Sequence, residues 1–309
     1  MSRKLHRSDE HAIVTKKYSR KELFSSFTGY LLHLLLERRA IAHLSDGRPR
    51  LAIYSYDYIS NSINIDGLYE RALLDIIFKY LESIPNIFDG NALDIGANIG
   101  NHSIYFSYYF KNVICFEANP QTFDILSINA KLRNNIVCHN FALSRSSGQG
   151  TLKIDPTNMG SASLYSEGAS VVPNIPLERL DAFEGEVGKV SLIKIDVQRA
   201  ELDVLLGGER LIKKMTPVIL FEQELAEIEN GASACIELLR KFGYDKFLVT
   251  EDRPIVPFAA NPGTIPSLLA RLYAVLFGKT TVLKECDHFL KKRYSIIVAV
   301  HKDSRKSPL

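Results

Sequence analysis

Seven short apolar runs, most of them separated by helix-like stretches, constrain the fold of this chain more than any other feature. They are ALDIG (92–96), VICFE (113–117), IVCHNFAL (136–143), SLIKID (191–196), PVILFE (217–222), KFLVTE (246–251) and SIIVAV (295–300). A strand with one wet face alternates apolar and polar residues; these runs are nearly continuous, so both faces of each strand are expected to be buried. Strands of that kind alternating with helices give a parallel sheet covered on both sides. The expectation is a doubly wound, mostly parallel, seven-stranded Rossmann-like α/β sheet with helices on both faces.

The chain has 309 residues, 46% hydrophobic and 24% charged, enough for one large core or two smaller ones. Three regions are expected: a basic, partly helical N-terminal appendage (1–65), a core (66–252), and a C-terminal lid or helical segment with a closing strand (253–309). RLAIYSYDYIS (50–60) reads as a strand or hairpin leading into the core. In GLYERALLDIIFKYL, Tyr69, Leu73, Ile76, Ile77 and Tyr80 recur at helical spacing behind Asp66 as a cap. Asn119 before Pro120 reads as an N-cap with proline in the first turn, and Ile125, Ile128 and Leu132 supply an apolar stripe. Ile236, Leu239 and Phe242 share one face of a later helix that Gly243 would stop. Ser144 to Lys189 is long for a connection and reads as an insertion over the functional edge of the sheet.

Four cysteines without a CxxC pair or a His/Cys cluster give neither a disulfide framework nor a structural zinc site, so a reducing cytoplasm is expected. The polar N-terminus lacks the apolar segment of a secretion signal. YLLHLLLERRAIAHL (30–44) and SLLARLYAVLFG (267–278) are both too short and too charged to span a bilayer. Residues 1–50 hold eleven Lys/Arg against five Asp/Glu; this arm is either a solvated appendage or a contact for an anionic surface, such as the inner face of a membrane. Basic residues without interleaved aromatics argue against nucleic acid. The sequence leaves the oligomeric state open.

In ALDIGANIGNHS, Asp94, Gly96 and Gly100 form D-x-G-x-x-x-G between a strand and a helical run. Glycine permits a sharp turn and a close approach, and the helix start presents unpaired N–H groups. The nicotinamide fingerprint needs a further glycine where this chain has Asn98, and the Asp94 charge would repel a diphosphate but suit an ammonium or sulfonium ligand. Glu117 ends the next strand, where the ribose-binding acid sits in adenosine-binding sheets. The plainer alternative is that both glycines serve strand-to-helix packing.

The ordered blocks LDIGANIGNHSIYF, FEANP, FALS, NMGSASL, LIKIDVQRAELDVLLGG and PVILFE resemble the FkbM-type family of S-adenosylmethionine-dependent methyltransferases. The resemblance runs from about Asp66 to Thr250. It implies a seven-strand methyltransferase sheet and, most often, methylation of hydroxyl oxygens on sugars or polyketide-like metabolites, with a small-molecule or saccharide acceptor. It implies S-adenosylmethionine as cofactor, with Asp94, Gly96, Asn98 and Gly100 around its methionine part, Glu117 on the ribose, and Asn140, Ala142 and Leu143 beside the adenine. Asn158, in NMGSASL, would lie over the pocket.

Methyl transfer from a sulfonium is an in-line displacement, so the protein must align an acceptor oxygen and remove its proton. Asp196, Glu222 and His102 are the candidate bases, in that order. Each has an alternative role: capping or cofactor orientation for Asp196, substrate orientation for Glu222, and placement near the cofactor for His102. Asp196 and Glu222 alone are too few ligands to imply a metal, and none is expected. The family usually carries an acid and a glycine after KIDV, where this chain has Gln198 and Arg199. Arg199 would then meet an anionic acceptor, or the protein would bind cofactor without turnover, as a regulatory or scaffold protein. A nicotinamide-dependent oxidoreductase is a third reading.

Overall fold

The computed structural model describes residues 20–155, 158–163, 170–254 and 279–305. The chain divides into two compact units, Met1–Arg48 and Pro49–Leu309. The first contains helix α1 (Arg20–Ser45). The second begins with α2 (Tyr58–Asp66), α3 (Arg71–Leu81), β1 (Asn91–Ile95), α4 (Asn101–Phe106), β2 (Val113–Phe116), α5 (Pro120–Ala130), β3 (Ile136–His139) and β4 (Ala142–Leu143). It continues with β5 (Gly148–Asp155), β6 (Asn158–Ser163), β7 (Ser170–Glu178), α6 (Glu184–Val187), β8 (Val190–Ile195), α7 (Glu201–Gly207) and α8 (Glu209–Met215). The last elements are β9 (Val218–Gln223), α9 (Ala234–Lys241), β10 (Tyr244–Pro254), β11 (Lys279–Glu285) and β12 (Tyr294–His301).

The main sheet runs β11-β10-β12-β9-β8-β1-β2-β3. The five strands from β9 to β3 pair in parallel. At the other end, β12 is antiparallel to β9 and β10, and β10 is antiparallel to β11. All seven expected apolar runs supply strands of this Rossmann-like sheet, but the sheet has eight strands and mixed direction. The eighth, β11, carries the sequence KTTVLKE, and as an edge strand with one wet face it needs no continuous apolar run. Lys284 on it pairs with Glu251 on β10.

Side chains alternate across the sheet as expected. Leu93 and Ile95 of β1 join Ile193, Phe221, Val204 and Leu239 on one face. Ala92 joins Leu192, Val218, Ile77, Phe78 and Phe106 on the other. Helices α7 to α9 therefore cover one side and α3 and α4 the opposite one. Each such fully buried apolar side chain contributes about 1.5–3 kcal/mol relative to exposure.

Several local expectations need correction. Residues 50–54 form no strand; the Asn129 side chain instead satisfies this segment, accepting from the Ala52 amide (2.7 Å) and donating to its carbonyl (2.9 Å). The helix expected behind Asp66 is two helices: Asp66 ends α2, Gly67 caps it in the left-handed region, and α3 starts only at Arg71. Asn119 does cap α5, but Ile128 and Leu132 are exposed, and Thr122, Leu126 and Asn129 form the buried side. The long connection after Ser144 supplies β5, β6 and β7 of a second sheet, β4-β7-β5-β6, which β4 at the end of the preceding apolar run completes, with Ala142, Leu152 and Ile175 packed together. Its backbone groups thus pair with one another instead of requiring water. The C-terminal segment expected to form a lid, 261–281, lies mostly outside the described residues.

Candidate active site

β1 has β2 on one side and β8 on the other, so the direction of chain progression reverses there, and a crevice opens beyond the carboxyl ends of these strands. Gly96 leaves β1 at φ +74°, and a Cβ built on it would lie 1.9 Å from the Asp196 carbonyl oxygen. That glycine is thus required by the junction with β8, where the Asp196 amide donates to the Ile95 carbonyl (3.0 Å). Gly100 (φ +87°) faces Leu126 of α5. Glu117 is buried and ties the turn down: its carboxylate accepts from the amides of Asn98 (2.8 Å) and Asn119 (2.9 Å). Burial raises the Glu117 pKa, against the pull of those two amides. Asn140 donates to the Glu117 carbonyl (2.8 Å), joining the end of β3 to the same corner.

Asp94 is fully buried. It accepts from the Ser103 hydroxyl (2.5 Å) and pairs with the Lys194 ammonium (3.2 Å). Lys194 stands in the middle of an apolar strand because three oxygens surround it: it also donates to the Gly96 carbonyl (2.8 Å) and lies 3.6 Å from Asp196. Burial opposes its charge, yet Asp94 and Asp196 hold its pKa above the ordinary lysine value. β1, its turn and β8 are thereby locked together by one buried cation.

Asp196 follows β8 and Glu222 lies on β9, and the Gln198 amide bridges them, donating to Asp196 (3.1 Å) and to Glu222 (3.2 Å). Arg293, just before β12, donates to Glu222 through Nε (2.7 Å) and Nη2, and its Nε is 3.2 Å from Glu224. Burial and the Asp196 charge push the Glu222 carboxyl up to about 8, against the pull of Arg293. Burial works against the charge of Asp196 as well, but Lys194 holds its pKa below the usual carboxylate value. Of the two neighbouring carboxyls, Glu222 is thereby made the weaker acid and Asp196 the stronger.

The wall facing this pair comes from the α2–α3 junction and α4. The His102 Nε2 lies 3.4 Å from a Glu70 carboxylate oxygen, with the ring between Tyr69 and Phe106. Glu70 caps α3 at φ +56°, a conformation uncommon for a residue with a side chain. Burial, followed by the Glu70 charge, raises the Tyr69 pKa. The cavity between these walls, partly open to solvent, measures about 1090 Å³ and includes Asn98, His102, Asp196, Gln198 and Glu222 in its lining.

The three candidate bases thus meet on one cavity. Asn98 joins them there, whereas Asp94, Gly96, Gly100, Glu117, Asn140, Ala142 and Leu143 build the adjoining corner without lining the cavity. Ala142 and Leu143 are buried in β4, which pairs with β7. Asn158 is on β6, and its side chain lies outside the described residues. Arg199 is exposed, off the cavity wall, at φ +79°. Nothing in the sequence marked Glu70 or Arg293, and Tyr69 was read only as part of a helical stripe; for Lys194 the signal was a lysine inside the apolar run SLIKID.

A family model described as the methyltransferase FkbM domain matches residues 94–246. The chain is 30% identical over 171 residues to Methyltransferase 1 of Beauveria bassiana, covering 47% of this chain and 68% of that protein. This chain belongs to the FkbM methyltransferase family. It is also 29% identical over 182 residues to the hexuronic acid methyltransferase AglP of Haloferax volcanii, covering 58% of this chain and 72% of AglP. Among solved structures, Methyltransferase FkbM from Methylobacillus flagellatus overlaps 61% of this chain and 47% of its own at 16% identity, with a TM-score of 0.32. The fold assignment rests on the strand order given above.

Proposed function

We propose that this methyltransferase moves a methyl group from S-adenosylmethionine to a hydroxyl oxygen of a saccharide, a glycolipid precursor or a related polyketide-like metabolite. The observation that carries this reading is the Asp196 and Glu222 pair at the ends of β8 and β9, facing a cavity beside the β1 turn. The name of the relative AglP, a hexuronic acid methyltransferase, supports a sugar acceptor. The residues fit a cationic cofactor: Asp and Glu outnumber Lys and Arg six to four on the cavity wall, and three of those four cations, Arg71, Lys194 and Arg293, already face acids. Asn98 and Glu117 would hold it at the turn, and when bound it supplies an activated methyl on a sulfonium.

The remaining work falls to the protein. Asp196, kept ionised by Lys194, accepts the hydrogen bond of the acceptor hydroxyl and then its proton. Gln198 fixes the rotamers of both carboxyls, and Arg293 anchors Glu222. The acid-rich wall makes a neutral hydroxyl-bearing sugar a better acceptor than a free uronate, because few unpaired cations face the space. The free thiols of Cys115, Cys138, Cys235 and Cys286 suit a reducing cytoplasm.

The test is transfer of labelled methyl from S-adenosylmethionine to a panel of neutral sugars, uronates and lipid-linked sugars. Label should pass to a hydroxyl, with a rate lowered roughly 10²–10⁴-fold in Asp196→Asn, the range for loss of a positioned base. Cofactor binding with no transfer to any acceptor would instead favour a binding protein without turnover.

A further inference from the structure

Helix α1 carries large apolar side chains on its surface. Phe24 is 70% exposed, Phe27 64%, Leu31 48% and Leu35 52%. At 3.6 residues per turn these four fall on one stripe, and Ser26, His33 and Glu37 fall on the opposite side. Arg38 continues the stripe one turn further, with Arg39 beside it, so the apolar surface passes directly into a cationic one. A stripe of this size is not ordinary surface decoration, since exposed apolar patches of contiguous residues mark contact sites.

Charge identifies what it contacts. The unit Met1–Arg48 holds ten Lys/Arg against five Asp/Glu. A second copy docked stripe to stripe would bring two positively charged units together and bury Arg38. An anionic lipid surface meets both features: acyl chains receive the phenylalanines and leucines, and headgroup phosphates receive the arginines, whose long stems let the charge reach outward. Among the described residues, no helix is long and apolar enough to cross a membrane. The part of α1 that carries the exposed phenylalanines and leucines, Phe24 to Leu36, is about 20 Å long at 1.5 Å per residue, against roughly 30 Å of hydrocarbon, so the helix lies in the surface plane.

We infer that α1 is an interfacial helix that lays the Phe24, Phe27, Leu31 and Leu35 stripe into an anionic membrane surface, with Arg38 and Arg39 on the phosphates. The attachment is independent of which acceptor the catalytic unit methylates.

The test uses the full chain and flotation with vesicles of phosphatidylcholine containing phosphatidylglycerol, against phosphatidylcholine alone. The protein should float with the anionic vesicles, bind the neutral ones at least tenfold less, and be released by salt, which screens headgroup attraction. Leu31→Glu with Leu35→Glu should lower binding at least tenfold, and Ser26→Glu, on the opposite side, should leave it unchanged. Thermal unfolding of each variant checks that the body remains folded. No flotation, equal flotation with both vesicle types, or binding that survives the double variant would overturn the inference. So would light scattering that shows a dimer dispersed by the double variant without vesicle binding. None of these readouts depends on methyl transfer, so they stand or fall apart from the catalytic reading.

Discussion

The residue that governs the site's titration is Glu222. Its carboxyl, pushed up to about 8 by burial and by Asp196, is protonated at pH 7, and raising the pH through that value leaves two ionised carboxylates and a stronger base. Acceptor kcat/KM should therefore climb through pH 8, and Glu222→Gln should flatten that limb. Arg293→Ala removes the cation opposing the shift, so the same limb should move to higher pH. A wild-type profile without a limb near 8 would contradict this assignment. Lys194→Met strands the fully buried Asp94 without its cation, and chemical denaturation should show a loss of about 3–5 kcal/mol, as for breaking a buried pair. Asp196, Glu222 and His102 were legible in the sequence because they sit at strand ends or just past a glycine turn. Arg293 was not: it lies 71 positions from Glu222, and only the antiparallel return of β12 against β9 brings them together.

At the scale of elements, two turns carry the testable strain. Gly96→Ala would add a Cβ 1.9 Å from a backbone oxygen at positive φ, so it should separate β1 from β8 and cost stability well beyond the ~1 kcal/mol of an ordinary glycine substitution. Between β8 and α7, Gln198 and Arg199 both have positive φ. Arg199 is exposed, so Arg199→Gly should stabilise the protein by about 1 kcal/mol in a denaturant titration. If the same change also abolishes methyl transfer, Arg199 has a role in acceptor binding that its position off the cavity wall does not explain. The parallel core was legible because strands buried on both faces must be apolar throughout. β11, α2 and the second sheet were not, since an edge strand, a short helix and a small sheet bury too little to print a continuous pattern.

At the scale of the whole molecule, the unit Pro49–Leu309 contains both sheets and the cavity, and the unit Met1–Arg48 contains α1. Residues 49–309 expressed alone should unfold in one cooperative transition with an unchanged midpoint and should methylate a soluble acceptor at the full-length rate. The spacing of Asp94, Gly96 and Glu117 marked in the sequence the corner proposed here for the cofactor. The sequence concealed that Asp94 and Gly96 are spoken for by Lys194 and Asp196, because those contacts join residues about a hundred positions apart. The central claim, that this corner holds S-adenosylmethionine, is tested most directly by calorimetric titration of the wild type and of Glu117→Gln. Saturable binding in the micromolar range, weakened at least tenfold in the variant whose folding midpoint is unchanged, is the result expected. No binding to the folded wild type, or equal affinity in the two proteins, would contradict it.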